Sequence, residues 1–394
     1  MWRTVKLGEV CDFQGGSQPP KKEFVFEPQE GYVRFLQIRD FKSDKNVTYI
    51  PISKKNRLCN TDDIFIGRYG ASVGQILRGL EGAYNVALMK TIPNEELISK
   101  GWLYAYLNSS LFQKPLMEAS SRSAQNGFSK DDISALELPL PSLAEQQRIV
   151  AKLDAAFAEI DRFESVIKGK LSDFDALRLK TYQAIIKKHC SEQRQCKLSE
   201  LVDESCSLSY GIVQPGDEFA DGLPVVRPVD LKSKWIGEID LKRVAHERAE
   251  SYQRTKLSGG EVLLCVRGST GVVSLASDEL IGGNVTRGII PIRFADVVNN
   301  EYGYYALQSE GAQKQIADKT YGATLQQINV KDVKNLIIDV PKIEEQLNAV
   351  AEIIKADDYL NELKSSTQRQ LENAKQLKSA ILAQELQPPQ SEAA

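Results

Sequence analysis

Hydrophobic positions follow two different patterns along this chain of 394 residues. In residues 1–141 and 196–341, short apolar runs end at glycine-containing turns, as in DDIFIGRYG and GEVLLCVRG. This pattern is typical of strands followed by tight turns. In residues 142–195 and 342–394, apolar residues recur every three or four positions, which predicts a long helix in each segment. The sequence therefore predicts an α+β protein in which two mixed domains alternate with two long helices.

The first long helix carries a sustained apolar stripe. It runs along residues 149–185 at alternating spacings of four and three, includes Phe163 and Leu177, and has charged residues on the other faces. A stripe of this kind is the a/d pattern of a coiled coil and needs a partner surface. The simplest partner is the second long helix of the same chain. Its stripe includes Asp357 and Lys364, which we interpret as residues that fix the register of the pair.

Both long helices begin with the same junction, PSLAEQ from Pro141 and PKIEEQ from Pro341. In the first copy, Ser142 and Glu145 have the spacing of a capping box. Lys342 replaces the serine in the second copy, so that helix start is less clearly marked. Before each junction, the segments WLYAYLNSSLFQKPL and YGYYALQSEGAQKQIAD each predict one helix, and SALELPLP and KNLIIDVP each predict a final strand.

The two halves of the chain repeat each other in order. With an offset of 200 residues, Asp132 matches Asp332, Leu136 matches Leu336, and the two junctions coincide. Because the matches keep their order along the chain, they predict a tandem repeat. The earlier matched segments are KLGEV at Lys6 and KLSEL at Lys197, IRDF at Ile38 and PVDL at Pro228, GRYGASVG at Gly67 and VRGSTGVV at Val266, and YNVALMKTIP at Tyr84 and GNVTRGIIPI at Gly283.

The overall charge is close to neutral, with 50 Lys+Arg against 53 Asp+Glu and a net charge of −3. No segment is strongly basic, since the two mixed domains and two helices carry at most +2 each. Any contact with DNA is therefore predicted to come from local clusters of side chains. The start, MWRTVKLGEV, has no apolar segment typical of a secretory signal, and no apolar run reaches membrane-spanning length, which predicts a cytoplasmic protein.

The residue types that usually carry catalysis form no recognisable site. His189 and His246 have no Ser, Cys or Asp partner at motif spacing, and we interpret both as solvated surface histidines, the second in a charged loop. The turn GRYGASVG lacks the Gly-Lys-Ser/Thr of a P-loop. The alternative is a metal site made of His189, Cys190, Cys196 and Cys206. That spacing matches no common zinc pattern, so reduced thiols and no active site are predicted.

After catalytic sites are set aside, clusters of polar side chains suited to recognising a partner remain. Clusters of Arg, Lys, Gln, Asn, Ser and Thr occur at matching places in the two halves but with different side chains, which predicts one scaffold with two targets. Arg can read guanine and Gln or Asn adenine, while Lys, Ser and Thr hold phosphates. Asn284 belongs to the same cluster as Arg287. The candidate DNA-binding residues are Gln37, Arg39, Lys42, Arg68, Tyr69, Ser72, Arg122, Ser123, Gln125, Asn126, Arg227, Lys232, Lys234, Arg267, Ser269, Thr270, Arg287, Lys319, Thr320, Tyr321 and Gln326.

Together these features resemble the specificity subunit of type I restriction-modification systems. The resemblance covers essentially the whole chain and rests on PLPSLAEQQRIVAKLD, the doubled junction, the GRYGASVG turn, NVALMKTIP and the closing LKSAILAQEL. It implies target-recognition domains at 1–141 and 196–341, each binding one half of a bipartite, asymmetric DNA site. It also implies that the helices at 142–195 and 342–394 pack antiparallel, as a ruler between the half-sites.

The resemblance further implies partners and cofactors. The chain itself would be non-catalytic and hold no cofactor. It would bind two methyltransferase subunits, which methylate adenine N6 with S-adenosylmethionine, and two motor-nuclease subunits where these exist, which use ATP and Mg. The residues alone leave two other hypotheses open. One is a tandem-domain protein-binding scaffold with a coiled-coil spacer, which weak salt dependence of DNA binding would favour; the other is a hydrolase or transferase acting alone.

Overall fold

The chain divides into two units, each built from one mixed α+β part and portions of both long helices. Unit 1 comprises Met1–Ile167 with Arg369–Ala394, and unit 2 comprises Lys168–Gln368. Among the described residues, no helix has both the length and the apolar character that a membrane span needs. The structure is a computed structural model, and the residues that it describes are 2–121, 127–192 and 194–388.

In the described part of unit 1, short strands form one two-stranded and two four-stranded sheets. The strands are β1 (Arg3–Lys6), β2 (Cys11–Gly15), β3 (Tyr32–Leu36), β4 (Tyr49–Pro51), β5 (Leu58–Cys59), β6 (Phe65–Gly67), β7 (Ile76–Leu77), β8 (Gly82–Tyr84), β9 (Leu88–Pro93) and β10 (Glu137–Leu140). β1 pairs antiparallel with β10, so the two ends of the mixed part meet. The larger sheets have the orders β2-β9-β6-β7 and β4-β3-β8-β5, and β3 runs parallel to β8.

Unit 2 repeats this plan. Its strands are β11 (Gln195–Lys197), β12 (Leu223–Val226), β13 (Trp235–Ile236), β14 (Lys242–Val244), β15 (Val262–Cys265), β16 (Val273–Ala276), β17 (Asn284–Val285), β18 (Ile289–Ile292) and β19 (Ile337–Asp339). β11 pairs antiparallel with β19, as β1 does with β10. The larger sheets have the orders β13-β16-β15-β18 and β14-β12-β17, and β12 runs parallel to β17.

The last three helices of each mixed part also correspond between the two units. The helices of the chain are α1 (Leu7–Val10), α2 (Lys100–Asn108), α3 (Ser110–Ser121), α4 (Lys130–Ser134), α5 (Leu143–His189), α6 (His246–Glu250), α7 (Asn300–Gln308), α8 (Glu310–Lys319), α9 (Val330–Lys334) and α10 (Ile343–Glu385). The prediction of one helix late in each mixed part is wrong, because Ser109 and Ser309 adopt extended backbone and divide each segment in two. The Ser309 side chain accepts a hydrogen bond from the backbone N–H of Ala312 and caps α8.

Equivalent aromatic residues hold the final strand of each mixed part. In unit 1, the indole N–H of Trp102 donates to the carbonyl oxygen of Pro139 at 3.2 Å. In unit 2, the hydroxyl of Tyr302 donates to the carbonyl oxygen of Asp339 at 2.6 Å. Both rings are fully buried, so each polar atom needs such a partner. The apolar core of each unit therefore reaches the strand that leads into the long helix.

A buried glutamine then joins the mixed part of unit 1 to α5. The side-chain amide of Gln146 donates to the carbonyl oxygens of Leu97 and Pro141, at 2.9 and 3.0 Å. Its oxygen accepts from the backbone N–H of Ser99 at 2.8 Å. Gln146 has no exposed surface, and a buried amide is stable only when its donors and acceptors are paired. The glutamine of the junction is thus an anchor between helix and domain.

Gln346 makes the same three bonds in unit 2. Its amide donates to the carbonyl oxygens of Val297 and Pro341 at 2.9 and 2.8 Å. Its oxygen accepts from the backbone N–H of Asn299 at 2.8 Å. The doubled junction in the sequence therefore encodes one structural joint, made twice.

The cap at the start of each long helix differs between the units. In unit 1, the backbone N–H of Glu145 donates to the hydroxyl of Ser142 at 3.4 Å. In unit 2, the backbone N–H of Lys342 donates to the carboxylate of Glu345 at 3.1 Å. The loss of the serine is therefore offset, because the glutamate side of the capping box supplies the cap for α10.

Within unit 1, the first part of α5 runs antiparallel to the last part of α10. Lys152 on α5 lies 2.6 Å from Glu385 on α10. Further along α5, Asp161 and Glu164 lie 2.6 and 3.4 Å from the ammonium of Lys378. Rising residue numbers on one helix thus meet falling numbers on the other.

Unit 2 contains the same antiparallel pairing between the last part of α5 and the first part of α10. Arg178 and Tyr182 both contact Asp357: Arg178 Nε lies 3.1 Å away, and the tyrosine hydroxyl donates at 2.6 Å. Lys188 lies 2.8 Å from Glu352. Asp357 therefore links the two helices, as its place in the polar stripe predicts.

The predicted apolar stripe of α5 is wrong at two positions. Phe163 and Leu177 are 46% and 47% exposed. The neighbouring residues Glu164, which is buried, and Arg178, whose side chain is 30% exposed, face α10 instead. Charged side chains can occupy these positions because α10 supplies partners of opposite charge.

Candidate nucleic-acid interface

In both units a short 3-10 turn follows a strand that has a parallel neighbour, β3 or β12. The backbone N–H of Gln37 donates to the carboxylate of Asp40 at 2.6 Å. The backbone N–H of Arg227 donates to the carboxylate of Asp230 at 2.8 Å. The match of IRDF with PVDL is therefore confirmed in the structure, and positions 37 and 227 are equivalent.

The side chains on these turns differ. The guanidinium of Arg227 forms a fork with Asp230, with Nε 3.0 Å from Oδ2 and Nη2 2.9 Å from Oδ1. These hydrogen bonds raise the pKa of Arg227, which keeps the side chain charged. Burial raises the pKa of the Asp40 carboxyl in unit 1. Sequence reasoning missed both aspartates, although each stands three residues after its candidate reader in the matched segments.

The glycine turns are the second equivalent feature. Tyr69 pairs with Gly127 in an isolated bridge, and Arg267 pairs with Gln327 in the same way. The structural equivalent of Arg267 is therefore Tyr69. The sequence match of Arg68 with Arg267 is wrong by one position. The N–H of Gly74 donates to the carbonyl oxygen of Gly67 and that of Gly271 donates to that of Cys265, so Arg68 is equivalent to Val266.

Both glycine turns are closed by a glutamine from the helix behind them. Gly74 and Gly271 have φ values of 77° and 94°, which favour glycine. Their carbonyl oxygens accept hydrogen bonds from the side chains of Gln113 and Gln313, each at 2.9 Å. A Cβ atom on Gly74 would lie 2.7 Å from the Gln113 side-chain oxygen. The backbone of the turn is thus fixed while its outer side chains vary.

The neighbouring strands β8 and β17 correct a second sequence match. Through their pairing with β3 and β12, Tyr84 is equivalent to Val285. The match of Asn85 with Asn284 is therefore wrong by two positions. Asn284 is buried and accepts a hydrogen bond from the Thr255 hydroxyl at 2.8 Å, so its side chain stabilises the interior of unit 2.

Backbone hydrogen bonds join these segments into one edge of unit 1. The N–H of Asn85 donates to the carbonyl oxygen of Leu36 at 3.1 Å, and the N–H of Arg68 donates to that of Ala87 at 2.9 Å. The Arg68 side chain donates to the carbonyl oxygen of Phe128 at 3.2 Å, which holds the segment before α4. We call this surface the unit 1 edge. The predicted residues gathered on it are Gln37, Arg39, Arg68 and Tyr69.

Unit 2 has the corresponding edge. The N–H of Thr286 donates to the carbonyl oxygen of Val226 at 2.9 Å, and the N–H of Gly268 donates to that of Gln326 at 2.8 Å. Together with the bond from the N–H of Val266 to the carbonyl oxygen of Gly288 at 2.8 Å, they join the turn after β12, the glycine turn and the segment before α9. The predicted residues gathered on this unit 2 edge are Arg227, Arg267, Ser269, Arg287 and Gln326.

Lys234 is a predicted site residue whose side chain is already paired. Its ammonium lies 2.8 Å from the Glu301 carboxylate and 3.1 Å from the Tyr305 hydroxyl. Burial alone would lower the pKa of Lys234, but the hydrogen bonds to Glu301 and Tyr305 raise it. The charge is therefore retained and directed towards α7 rather than towards the unit 2 edge.

The remaining predicted residues have varied surroundings. The Thr320 hydroxyl donates to the carbonyl oxygen of Ile316 at 2.8 Å, and the Tyr321 hydroxyl donates to the side chain of Asn329 at 2.7 Å. Thr270 has a buried hydroxyl oxygen, and Ser72 is half-buried. Lys42, Lys232 and Lys319 are exposed. Four predicted residues lie outside the described part of the chain and stay predictions: Arg122, Ser123, Gln125 and Asn126.

The histidines and cysteines correct one further expectation. His189 is not simply solvated, because its Nε2 lies 2.7 Å from the Glu352 carboxylate. His246 is exposed, but it begins α6 rather than lying in a loop. In the ranges that the structure describes, no three His, Cys, Asp or Glu residues are arranged to hold a metal ion, and the six cysteines are free thiols.

Two units with equivalent backbones, different outward side chains and shared paired helices define a tandem recognition protein. Residues 1–171 and 216–373 match the family described as "Type I restriction modification DNA specificity domain". The chain therefore belongs to the specificity subunits of type I restriction-modification systems, which are the DNA-recognition, non-catalytic components of those systems.

Individual relatives agree with this family. The chain is 23% identical over 419 residues to the type I restriction enzyme EcoBI specificity subunit of Escherichia coli, covering 97% of this chain and 85% of the relative. It is 21% identical over 403 residues to the MjaVIII specificity subunit of Methanocaldococcus jannaschii, covering 95% and 90%. A chain from a solved structure on complex assembly and conformational transition of the type I R-M system has the same fold, with a TM-score of 0.68 at 20% identity and coverage of 98% and 97%.

Proposed function

We propose that each unit binds one half of a bipartite, asymmetric site in double-stranded DNA. The observation that carries this proposal is the pair of equivalent edges with different side chains. Gln37 and Tyr69 on the unit 1 edge stand where Arg227 and Arg267 stand on the unit 2 edge. Base edges in the major groove differ in their donors and acceptors, so different side chains on equal backbones favour different half-sites.

The paired helices would set the gap between the half-sites. A helix rises about 1.5 Å per residue, so a long antiparallel pair is a suitable spacer. Contacts such as Arg178 with Asp357 fix which residues of α5 and α10 face each other within unit 2. Lys378 with Asp161 does the same within unit 1. A fixed register is what a spacer of constant length requires.

The chain would act by directing partner subunits in the cytoplasm. We propose two methyltransferase subunits, which methylate adenine N6 with S-adenosylmethionine, and two motor-nuclease subunits that use ATP and Mg. The tandem repeat supports a count of two, because each unit presents the same joint and the same terminal strand pair. Methylation requires the adenine to be flipped out of the duplex, and this step would belong to the partner enzyme.

The experiment is to purify the chain with the methyltransferase subunits encoded beside it and to sequence the methylated adenines that the complex produces on genomic DNA. The proposal predicts one motif with two specified halves and an unspecified gap. Binding to that motif should also weaken steeply with salt, because phosphate contacts release counterions. A complex that methylates no bipartite motif would exclude the proposal, and DNA binding with no salt dependence would favour a protein-binding scaffold.

A further inference from the structure

The turns after β3 and β12 have equivalent backbones but side chains of different chemistry. We call the equivalent residues Gln37 and Arg227 the reader positions. In each turn an aspartate three residues along the chain accepts a hydrogen bond from the backbone N–H of the reader position. The carbonyl oxygen of the reader accepts from the backbone N–H of that aspartate, at 2.9 Å in both units. The reader side chain is the part of the turn that changes, from Gln37 to Arg227.

Arg227 is prepared for a two-point contact. The carboxylate of Asp230 accepts hydrogen bonds from Nε and from one N–H of Nη2, which lie on the same side of the guanidinium. Guanidinium carries five N–H donors in a fixed plane, so Nη1 and the second N–H of Nη2 remain on the outer side. In the described part of the chain, no residue forms a hydrogen bond with Nη1, and the side chain is 36% exposed. Two parallel outward donors fit the O6 and N7 acceptors of guanine.

Resting on the proposed function, we propose that Arg227 and Gln37 determine the base at one matching position in each half-site. Arg227, positioned by Asp230, reads guanine in the half-site of unit 2. Gln37, with one amide donor and one acceptor, reads adenine in the half-site of unit 1. Asp230 acts through Arg227 and is a positioning residue.

The buried aspartate of unit 1 supports the equivalence. Asp40 keeps the backbone hydrogen bond to Gln37, but its Oδ1 is buried without a hydrogen-bond partner. The nearest cation is the Arg39 Nε, at 3.8 Å. The corresponding oxygen of Asp230 accepts from Arg227 at 2.9 Å. An arginine at position 37 would therefore find the carboxylate that a guanine-reading fork requires.

The test is to assemble wild-type and variant chains with the partner methyltransferase subunits and to sequence the methylated motifs. Arg227→Gln should lower the preference for guanine at one position of one half-site by about 5- to 150-fold, the range of one bidentate contact. The other half-site and the gap should not change. Arg254→Gln is the matched control, because Arg254 is exposed and its neighbour Thr255 bonds Asn284 at the start of β17, the end away from Thr286. It should leave the motif unchanged.

Two further variants separate positioning from folding. Asp230→Asn keeps an acceptor for the backbone N–H but cannot accept the guanidinium fork in the same way. It should relax the same guanine position while the opposite half-site is methylated at the wild-type rate, a selective change that misfolding would not produce. Gln37→Arg should replace adenine by guanine at the matching position of the other half-site.

The outcomes distinguish this inference from the proposed function. If the wild-type complex yields a bipartite motif but Arg227→Gln and Gln37→Arg leave every base preference unchanged, the assignment of these two readers is wrong and the proposed function stands. If Arg227→Gln does not assemble, the result for Gln37→Arg decides alone. If the wild-type complex yields no bipartite motif, the proposed function itself fails.

Discussion

The two units share the contacts that hold their backbones, but they differ in the side chains that project from the unit 1 and unit 2 edges. Gln146 and Gln346 make the same three bonds at the same distances to within about 0.2 Å. Gln113 and Gln313 likewise close equivalent glycine turns. At the edges, by contrast, Gln37 stands where the other unit has Arg227. The residues that hold the backbones and the residues that differ at the two edges are therefore separate sets.

The largest predicted effect concerns the shared joint. Gln146→Leu removes the partner of the Ser99 N–H and of two carbonyl oxygens. Each buried polar group left unpaired costs roughly 1–3 kcal/mol, so unit 1 should lose about 3 kcal/mol or more of its free energy of unfolding. Gln346→Leu should destabilise unit 2 by a similar amount. Urea unfolding followed by circular dichroism measures both losses.

Gln147→Leu provides the control, because Gln147 is the exposed neighbour of Gln146 on the same helix turn. It should change the free energy of unfolding by no more than about 0.5 kcal/mol. Equal unfolding curves for Gln146→Leu and Gln147→Leu would show that the joint does not hold the unit.

The next largest loss of stability is expected at the helix seams, which are the contacts between α5 and α10 within each unit. Asp357→Ala leaves Arg178 and Tyr182 without their shared partner in unit 2. Removing one member of a partly buried charged group should cost roughly 2–4 kcal/mol. In unit 1, Asp161→Ala should cost less, about 1 kcal/mol, because Asp161 is exposed and Lys378 keeps Glu164 as a partner. Thermal unfolding of the two variants compares the seams directly.

A triple variant tests whether unpaired charge causes the loss of stability in Asp357→Ala. The triple variant carries Arg178→Leu, Tyr182→Phe and Asp357→Leu. It removes all three members of the polar cluster around Asp357. Replacement of a whole buried ionic group by apolar residues is often neutral or stabilising, so stability should return to within about 1 kcal/mol of the wild type. A triple variant as unstable as Asp357→Ala would mean that the loss comes from packing and not from unpaired charge.

The smallest effect is chemical. Burial raises the pKa of Cys11 to about 12 and that of Cys59 to about 11, so neither thiol forms appreciable thiolate at pH 8. Cys196 in unit 2 is only partly buried. Iodoacetamide at pH 8 should therefore alkylate Cys196 at least 10-fold faster than Cys11 or Cys59, as peptide mass spectrometry would measure. Loss of the fast site in Cys196→Ser is the control, and rapid labelling of Cys11 in the folded chain would contradict the burial of the unit 1 core.

The sequence was sufficient for features that repeat over long distances. The two long helices, the doubled junction and the tandem order follow from spacing that one chain displays twice. The seam of α5 could not be found in this way, because Glu164 and Arg178 become seam residues only when α10 supplies Lys378 and Asp357. A hydrophobic stripe predicts burial from one helix alone and therefore selected Phe163 instead.

The unit 1 edge and the unit 2 edge show a similar limit of prediction from sequence. Arg68 and Arg267 align as letters, but strand pairing makes Tyr69 the equivalent of Arg267. Such a one-residue offset is invisible until hydrogen bonds define the register. The DNA-binding role of the loop residues stays a prediction, and Lys234 was selected by its charge although Glu301 already pairs with it. Whether a side chain projects from the surface or pairs with a neighbour depends on such local partners.

We propose that the two units select the half-sites and that the paired helices set the gap between them. The test is to insert seven residues, two helical turns, into the 173–180 region of α5 and the same number into the facing region of α10 around Lys364. Because both insertions have the same length, contacts such as that of Asp175 with Lys364 stay in register. The insertion adds roughly 10 Å, or about three base pairs of DNA. Sequencing the methylated motif of the assembled complex is the most direct measurement. We expect two unchanged half-sites with a longer gap; altered half-sites with an unchanged gap would show that the helices do not set the spacing.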